Sequence, residues 1–390
     1  MINTLAIGNY RSLRNFVIPL GQLNVVTGQN ASGKSNVYRA LRLLAETAQG
    51  GVIQSLANEG GLESTFWAGP EKISKYATHR KMPVQGGPKQ ANSRLRLGFS
   101  NDDFGYAISL GLPPPSTSTF ALDPEIKQEH MWAGQTFRPA SALVRREGPV
   151  VKVRSNQGWD VITQHATAFD SIFSQMADPI RAPEVMMLRE QIRNWRFYDH
   201  FRSDREAPAR LPQLATRTPV LHHDGRDLAA ALQTIREIGD EQALDQAISD
   251  AFPGARLNIL VQESGHFAVE LHQEGLLRPL TGLELSDGTL RYLLWVAALL
   301  TPRPPPLMIL NEPETSLHPD LLPALGRLII CAAKKTQIWV VSHANRLVAT
   351  LEKAPICHSL SLEKEWGETH VINQGILDEP AWHWADKHGK

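Results

Sequence analysis

The chain has 390 residues, 42% of them hydrophobic, and its 40 Lys and Arg residues balance 40 Asp and Glu residues. This composition excludes an intrinsically disordered chain. No apolar run reaches the ~18–20 residues of a membrane span. The length allows two or three domains or one large domain with an insertion. Two cysteines, Cys331 and Cys357, are too few for a disulfide framework, which predicts a reducing cytoplasm and buried, inert thiols. The N-terminus lacks a secretory signal pattern, which agrees with that location.

The first fifty residues predict strands that lead into a helix. Residues 2–10 and 16–20 flank a turn-like segment, and residues 23–27 form an apolar run ending at a glycine, which indicates a buried strand. Apolar residues then recur at steps of three and four from Val37 to Ala48, a spacing typical of an amphipathic helix. Together these segments predict a βα unit.

The middle of the chain has a different texture. Residues 94–99 and 105–111 predict an antiparallel hairpin, and residues 141–147 and 150–155 predict a second extended pair joined by a Gly-Pro turn. Residues 165–250 show a helical pattern interrupted by loops. No heptad pattern is sustained over several turns, which excludes a long coiled coil.

The last third returns to alternating helices and strands. A helical stripe covers residues 290–300, a short apolar strand covers 307–310, a helix is predicted from about 319 to 335, and a second buried strand covers 337–341. This alternation predicts parallel strand pairing.

The segment after the first buried strand fits the phosphate-binding pattern GxxxxGK[ST] at every fixed position. It lies between a predicted strand and a predicted helix, so its backbone N–H groups and the positive helix end would surround the phosphates of ATP. Lys34 would reach the β- and γ-phosphates, and the Ser35 hydroxyl would bind Mg²⁺. The predicted ATP-binding residues of this loop are Gly28, Gln29, Asn30, Ala31, Ser32, Gly33, Lys34, Ser35 and Asn36.

A second motif, LMILNEPETSLHPD, covers residues 307–320. An apolar strand that ends in acidic residues delivers carboxylates to the carboxyl edge of a parallel sheet, where ligands bind. Glu312 is placed to accept a proton from a water attacking the γ-phosphate. Asn311 stands where most such ATPases have an aspartate for Mg²⁺, and its amide offers an acceptor oxygen but no charge.

Two weaker signals accompany these motifs. Ser286 and Gly288 open the helical stripe and suit a second anion site, although an ordinary helix cap explains such a string about as often. His343 follows the strand 337–341, where a histidine can touch a γ-phosphate, although a lone histidine more often has a structural role.

The order and spacing of these motifs resemble the ABC-type ATPase heads of the SMC and RecF class, specifically the bacterial predicted ATPases of AAA type, also called RecF-like. The strings that carry the resemblance are IGNYRSLRNF, VVTGQNASGKSNVYRALRLL, RFYDHFR, VLHHDGRDLAAAL, LELSDGTLRYLLWVAALL, NEPETSLHPDLLPAL and VVSHANRLV. The resemblance implies an α/β P-loop NTPase of ABC/SMC-head type, with a mostly parallel sheet flanked by helices. The expected domains are a discontinuous ATPase core at 1–70 and 275–375, an antiparallel β lobe at 71–160, an inserted helical or lid region at 161–274 and a tail at 376–390.

The resemblance also implies roles for single residues. Glu312 would be the catalytic base, Lys34 would bind the phosphates, and His343 would sense the γ-phosphate. Ser35 and Asn311 would bind Mg²⁺.

The same resemblance implies a dimer. Ser286 and Gly288 of one subunit would face the γ-phosphate bound by the other in a head-to-tail homodimer that holds two ATP molecules. Arg11, in the N-terminal string, would lie near the nucleotide. Two departures from the family stand out: Asn311 should weaken Mg²⁺ binding, and no glutamine between residues 49 and 175 can be assigned as the family's metal-contacting glutamine.

Two segments have the residue types that bind nucleic acid. Residues 71–97 hold seven basic side chains and the single acid Glu71, and residues 193–205 interleave aromatic residues with arginines. A solvated face is the commoner explanation of a basic run, and a core element with arginines at its edges is the commoner explanation of the aromatic string.

These observations lead to one main hypothesis and two alternatives. The main hypothesis is an ATP-hydrolysing, ATP-dependent dimer switch that acts on DNA through residues 71–97 in repair or genome maintenance. The first alternative is an anti-phage defence or stress ATPase that controls a separately encoded effector protein. The second is a weakly hydrolysing, ATP-dependent binding module. No membrane partner is expected.

Overall fold

The structure is a computed structural model, and it describes residues 1–69, 93–115, 117–375 and 378–385. The chain folds as two units, each assembled from separate stretches of sequence. The first unit consists of Met1–Leu20, Gly28–Asn194 and Ser361–Lys390, and the second of Gly21–Thr27 and Trp195–Leu360.

Strands outnumber helices in the described part of the chain. The strands are β1 Ile2–Tyr10, β2 Leu13–Pro19, β3 Leu23–Gly28, β4 Leu95–Asn101, β5 Phe104–Gly111, β6 Glu125–Ala133, β7 Ala142–Glu147, β8 Val150–Ser155, β9 Gly158–Thr163, β10 Arg196–Tyr198, β11 Gln213–Leu214, β12 Arg256–Val261, β13 His266–His272, β14 Leu280–Thr281, β15 Leu307–Asn311, β16 Gln337–Val341, β17 Cys357–Glu365 and β18 Glu368–Val371. The α-helices are α1 Lys34–Thr47, α2 Val52–Asn58, α3 Leu62–Thr65, α4 Ile172–Gln175, α5 Pro183–Arg193, α6 Leu228–Ile238, α7 Glu241–Ala251, α8 Asp287–Leu299, α9 Leu322–Ala332 and α10 Asn345–Leu351.

An antiparallel sheet forms the frame of the first unit, with the strand order β2-β1-β4-β5-β6-β7-β8-β9. The predicted hairpin of β4 and β5 and the predicted pair of β7 and β8 are both present. However, β4 also pairs with β1. The strands expected as a separate lobe at 71–160 therefore continue the sheet that the N-terminal strands begin, and this predicted domain boundary is corrected.

A fully buried ion pair joins β6 to β7 inside the first unit. Arg146 donates to Glu129 at 2.8 Å, and both side chains are 0% exposed. Glu129 also accepts hydrogen bonds from the hydroxyls of Tyr106 and Ser171, each at 2.6 Å. Burial raises the pKa of Tyr106 well above its ordinary value, so this phenol stays a donor. The charge of Glu129 is thus compensated by one cation and several donors.

The parallel strands of the second unit lie in the order β10-β15-β16-β3. Every residue of β16 is buried, as expected for a strand covered on both faces, and the helices α6 to α9 contribute to the same core. Tyr198 lies opposite Leu310, and Asn311 lies opposite Val341. Because these strands are parallel, β10, β15 and β16 end at one edge. The predicted strands at 307–310 and 337–341 and their parallel pairing are confirmed.

Two expectations were wrong. The region 161–274, expected to be helical, also contains the antiparallel hairpin of β12 and β13, whose period-two burial is visible at Leu257 and Ile259. Cys331, expected to be buried, is exposed on α9. Burial raises the pKa of Cys357 to about 11, which agrees with an inert thiol.

The described helices are short. The longest in the described ranges, α1, has 14 residues, which confirms for this part of the chain that no long coiled coil is present. Nor does the described part contain a helix long and apolar enough to cross a membrane.

We expect Glu129→Gln to lower the free energy of unfolding by about 3 kcal/mol, because the buried Arg146 guanidinium loses its counter-charge. Urea denaturation followed by tryptophan fluorescence measures the change. Glu147→Gln is the matched control, because Glu147 is an exposed carboxylate on β7 and such substitutions stay within about 0.5 kcal/mol. Equal stability of both variants would contradict the role assigned to the ion pair.

Candidate functional site

The phosphate loop adopts backbone conformations that require glycine at two positions. Gly28 has φ 141° and Gly33 has φ 107°, values that residues with a side chain rarely adopt. Space is also lacking, since a Cβ on Gly28 would overlap the Leu362 carbonyl and one on Gly33 would overlap the Thr369 hydroxyl. Backbone geometry and packing therefore both dictate the two glycines of the pattern.

Lys34, the first residue of α1, folds back over the loop. Its Nζ donates to the carbonyls of Gly28 at 2.7 Å and Gln29 at 3.0 Å. The first turn of α1 has no acidic residue, and no side chain caps it. Ser35 is exposed on the same turn. A helix start of this kind, with a lysine and a hydroxyl, is suited to binding an anion.

A series of hydrogen bonds connects the phosphate loop to residues distant in sequence and supports it. The Asn36 amide donates to the Ser12 hydroxyl at 2.8 Å, and that hydroxyl lies 2.7 Å from the Thr369 hydroxyl. Thr369 in turn donates to the Ser32 carbonyl at 2.8 Å. Neither Ser12 nor Thr369 was predicted from the sequence. Asn36 was expected among the ATP-binding residues, but its side chain takes part in this support.

Arg11, expected near the nucleotide, is engaged by a carboxylate. Its Nη2 donates to Glu59 at 2.8 Å, and the Tyr10 hydroxyl donates to the same carboxylate at 2.6 Å. Its backbone N–H donates to the Thr65 carbonyl. Arg11 also lines a cavity of about 480 Å³ together with residues of α1 and α2. The hydrogen bonds found for Arg11 in the described ranges thus go to Glu59, just after α2, and to Thr65, the last residue of α3.

Two glutamates follow β15 and have different surroundings. Glu312 has a left-handed backbone, with φ 49°, and its side chain is 47% exposed. The Glu314 side chain is only 6% exposed, and it accepts hydrogen bonds from the Ser342 hydroxyl at 2.8 Å and the His343 N–H at 2.9 Å. Glu312 is therefore accessible to a reactant, whereas Glu314 holds the segment that follows β16.

The structure brings three of these side chains together. The His343 Nδ1 lies 3.3 Å from Glu314 and 3.8 Å from Glu312. Glu312 and His343 were predicted from the sequence, whereas Glu314 had no predicted role. Only the register of β15 and β16 reveals that Glu314 reaches the histidine.

Asn311, the last residue of β15, has a carboxylate beside it. Its amide nitrogen lies 3.4 Å from Oδ1 of Asp199, which follows β10. The amide oxygen remains an acceptor of the kind that the hard cation Mg²⁺ takes, as does the Ser35 hydroxyl. The donor chemistry of the two predicted metal-binding residues therefore fits Mg²⁺.

Ser286 is the N-cap of α8. Its hydroxyl accepts from the Thr289 N–H at 3.1 Å, and the side chain is exposed. The helix-cap explanation thus describes its local role, and Gly288 lies half-buried in the first turn. Two buried arginines that were not predicted fix this end of α8. Arg210 bonds Asp287 at 2.7 Å, and Arg291 donates to the Thr315 carbonyl at 2.9 Å.

The two candidate nucleic-acid segments have different outcomes. In the string 193–205, Trp195, Tyr198 and Phe201 are buried, which confirms the core interpretation. Residues 71–92 of the basic run lie outside the described residues. Within the described part of that run, Arg94 reaches Gln128 at 3.3 Å.

One local cluster was not predicted. His222, His223 and Asp224 each place one potential metal-ligand atom within 4.8 Å of the others. The three residues are consecutive, and a hydrogen bond of 2.7 Å between His222 and Asp224 accounts for their proximity. We assign no metal to this cluster.

A protein-family model matches residues 23–349, which is most of the chain, and it describes an AAA domain, putative AbiEii toxin, of a type IV toxin–antitoxin system. The chain belongs to this AAA family. No curated protein matches the sequence significantly. The resemblance found in the sequence is confirmed at the level of an AAA domain.

The chain is also similar to solved structures. One similar structure is an Smc head bound to the C-terminal winged-helix domain of ScpA, which is 13% identical, has a TM-score of 0.50, and is matched over 96% of this chain and 98% of that chain. Another is an Smc head with an extended coiled coil, bound to the C-terminal domain of ScpA derived from Pyrococcus furiosus, at 13% identity, a TM-score of 0.48 and 95% coverage of both chains. The first of these matches confirms the predicted P-loop NTPase fold of ABC/SMC-head type.

We expect Glu314→Ala to increase amide hydrogen exchange at His343 by at least ~10-fold, because the substitution removes the buried acceptor of that N–H. Exchange followed by mass spectrometry or NMR measures the effect. Glu314→Gln keeps an acceptor oxygen and should retain most of the protection. Glu312→Ala, on the exposed neighbour, should leave the exchange unchanged. Unchanged protection in Glu314→Ala would show that Glu314 does not hold this segment.

Proposed function

We propose that the chain binds ATP at the phosphate loop and hydrolyses it to ADP and phosphate. The observation that supports this best is the loop itself. Its two glycines with positive φ allow the loop backbone to pack closely against neighbouring groups, and Lys34 begins the following helix. Membership of the AAA family agrees with this chemistry.

The proposed roles follow from exposure and donor type. Lys34 would exchange its two carbonyl acceptors for phosphate oxygens, and the exposed Glu312 would accept the proton of the attacking water. His343 would contact the γ-phosphate. Ser35 and Asn311 would hold Mg²⁺, which neutralises charge on the phosphates when bound.

We further propose an ATP-dependent, head-to-tail homodimer. The support is the exposed start of α8, where Ser286 and Gly288 are available to the nucleotide of a second subunit. The resemblance to SMC and RecF heads implies the same arrangement. In a symmetric pair each subunit would complete the other's site.

The variant Glu312→Gln should lower ATP turnover by at least ~10²-fold, because it removes the proposed general base. It should also form a dimer that persists with ATP, whereas the wild type returns to the monomer as ATP is consumed. A phosphate-release assay and size-exclusion chromatography with light scattering measure the two effects. Lys34→Ala is the control, because it should lose nucleotide binding and therefore remain monomeric. A Glu312→Gln protein that is monomeric with ATP would exclude the dimer, and one with wild-type turnover would exclude the assigned base.

The proposed substrate of this switch is DNA, in repair or genome maintenance. The support is the excess of basic side chains in residues 71–97. Since each phosphate contact releases counterions, reversing Lys72, Lys75 and Arg80 to Glu should weaken duplex binding and reduce the slope of log K against log salt by roughly 3. Reversal of the exposed Lys334 and Lys335 is the control. Absence of duplex binding by the wild type at about 50 mM salt would rule out this substrate.

The main alternative is a defence or stress ATPase that controls a separately encoded effector. The family description, which names a putative toxin of a toxin–antitoxin system, favours it. A weakly hydrolysing, ATP-dependent binding module remains the other alternative, prompted by Asn311. Wild-type turnover no higher than that of Glu312→Gln would favour the module. A reducing, cytoplasmic location stays a prediction.

A further inference from the structure

Asp199 is a carboxylate to which the proposed mechanism gives no role. It directly follows β10, which pairs in parallel with β15 so that Tyr198 lies opposite Leu310. One position further along the same register, Asp199 comes beside Asn311, and its Oδ1 lies 3.4 Å from the Asn311 amide nitrogen. The neighbour of Asn311 on the β10 side is therefore an acidic side chain.

The other acidic side chains near Asn311 lie on its opposite side. Strand β15 stands between β10 and β16. On the β16 side, Glu314 is bonded to Ser342 and His343, and Glu312 faces His343 at 3.8 Å. Asp199 is thus the acidic group that the β10 side places next to Asn311.

A carboxylate neighbour makes the amide of Asn311 a better ligand for a divalent cation. A neutral amide oxygen is a weaker ligand for Mg²⁺ than a carboxylate, which also supplies charge. An amide whose N–H₂ group faces a carboxylate turns its oxygen away from that carboxylate and is polarised by it. Asp199 therefore both orients the amide oxygen of Asn311 and adds a negative charge beside it.

We propose that Asp199 supplies the negative charge of the Mg²⁺ position that Asn311 lacks. The carboxylate of the metal position then lies at the end of β10 and not at the end of the adjacent strand β15, and the position still has one carboxylate. This inference rests on the proposed function, in which Asn311 belongs to the Mg²⁺ position of an ATPase.

The test is a charge exchange read out by metal binding. Mn²⁺ is titrated into the full-length protein with a non-hydrolysable ATP analogue, and free Mn²⁺ is followed by electron paramagnetic resonance. Asp199→Asn should weaken Mn²⁺ binding by about 10–100-fold, the usual effect of losing a group that supports a metal ligand. The double variant Asp199→Asn with Asn311→Asp should return to within about threefold of the wild type, because the exchange restores one carboxylate.

The matched control is Asp204→Asn. Asp204 lies in the same segment as Asp199, is exposed, and is paired with Arg202 at 2.8 Å, so its neutralisation should leave Mn²⁺ affinity unchanged. A loss in Asp199→Asn that Asn311→Asp does not repair would overturn the proposal, because it would mean that Asp199 only stabilises the fold. Mn²⁺ affinity within twofold of the wild type in Asp199→Asn would overturn it as well.

A parallel titration with a fluorescent ATP analogue in EDTA separates this inference from the proposed function. Binding by the wild type and by Asp199→Asn alike shows that the phosphate loop is intact in both. A wild type that binds no nucleotide would overturn the proposed ATPase, and the inference with it. A wild type that binds nucleotide and Mn²⁺, beside an Asp199→Asn variant that does the same, would overturn the inference alone.

Discussion

The parallel register of β10, β15 and β16 is the constraint on which the polar edge of the second unit depends. Each strand is short, and β16 is buried along its whole length, so its position is fixed by apolar packing and not by the groups at its end. Because parallel strands end at the same edge, that packing places Asn311 3.4 Å from Asp199 and places His343 3.8 Å from Glu312 and 3.3 Å from Glu314. The positions of the polar groups at this edge are therefore set by the buried hydrophobic residues of the strands.

Positive φ angles occur at residues to which the proposed reaction gives a role. The φ angles of Gly28 and Gly33 are ones that glycine tolerates, but Glu312 has a side chain and still adopts φ 49°. Its N–H bonds the Val341 carbonyl at 2.8 Å, so the ladder between β15 and β16 continues into the strained residue. The buried Glu314 in turn holds Ser342 and His343, which follow β16. The backbone of Glu312 is thus hydrogen-bonded to β16 and is followed by the bonded Glu314, while its own side chain stays exposed.

Local patterns predicted much of this structure. The phosphate loop, the hairpin β4–β5 and the strand β16 each follow from a motif or a periodicity within about ten residues. The relation of β1 to β4 did not follow, because the pairing of distant strands leaves no local signal. The same reason explains why Thr369, Glu314 and Asp199 were missed. Thr369 is 337 residues from Ser32, and Asp199 is 112 residues from Asn311, so only the folded chain shows what they support.

The support behind the phosphate loop has a consequence for how the protein is made. Ser12, Ser32 and Asn36 emerge early from the ribosome. Thr369 completes their hydrogen bonds and leaves no room for a side chain at Gly33, but it follows Ser32 by 337 residues. At the usual ~5–20 residues per second, translation needs roughly twenty to seventy seconds to span that interval. A nascent chain thus carries the whole glycine-lysine motif for most of its synthesis without the strand that braces it. The hydrogen bond from Thr369 to Ser32 therefore forms only after β18 has been synthesised.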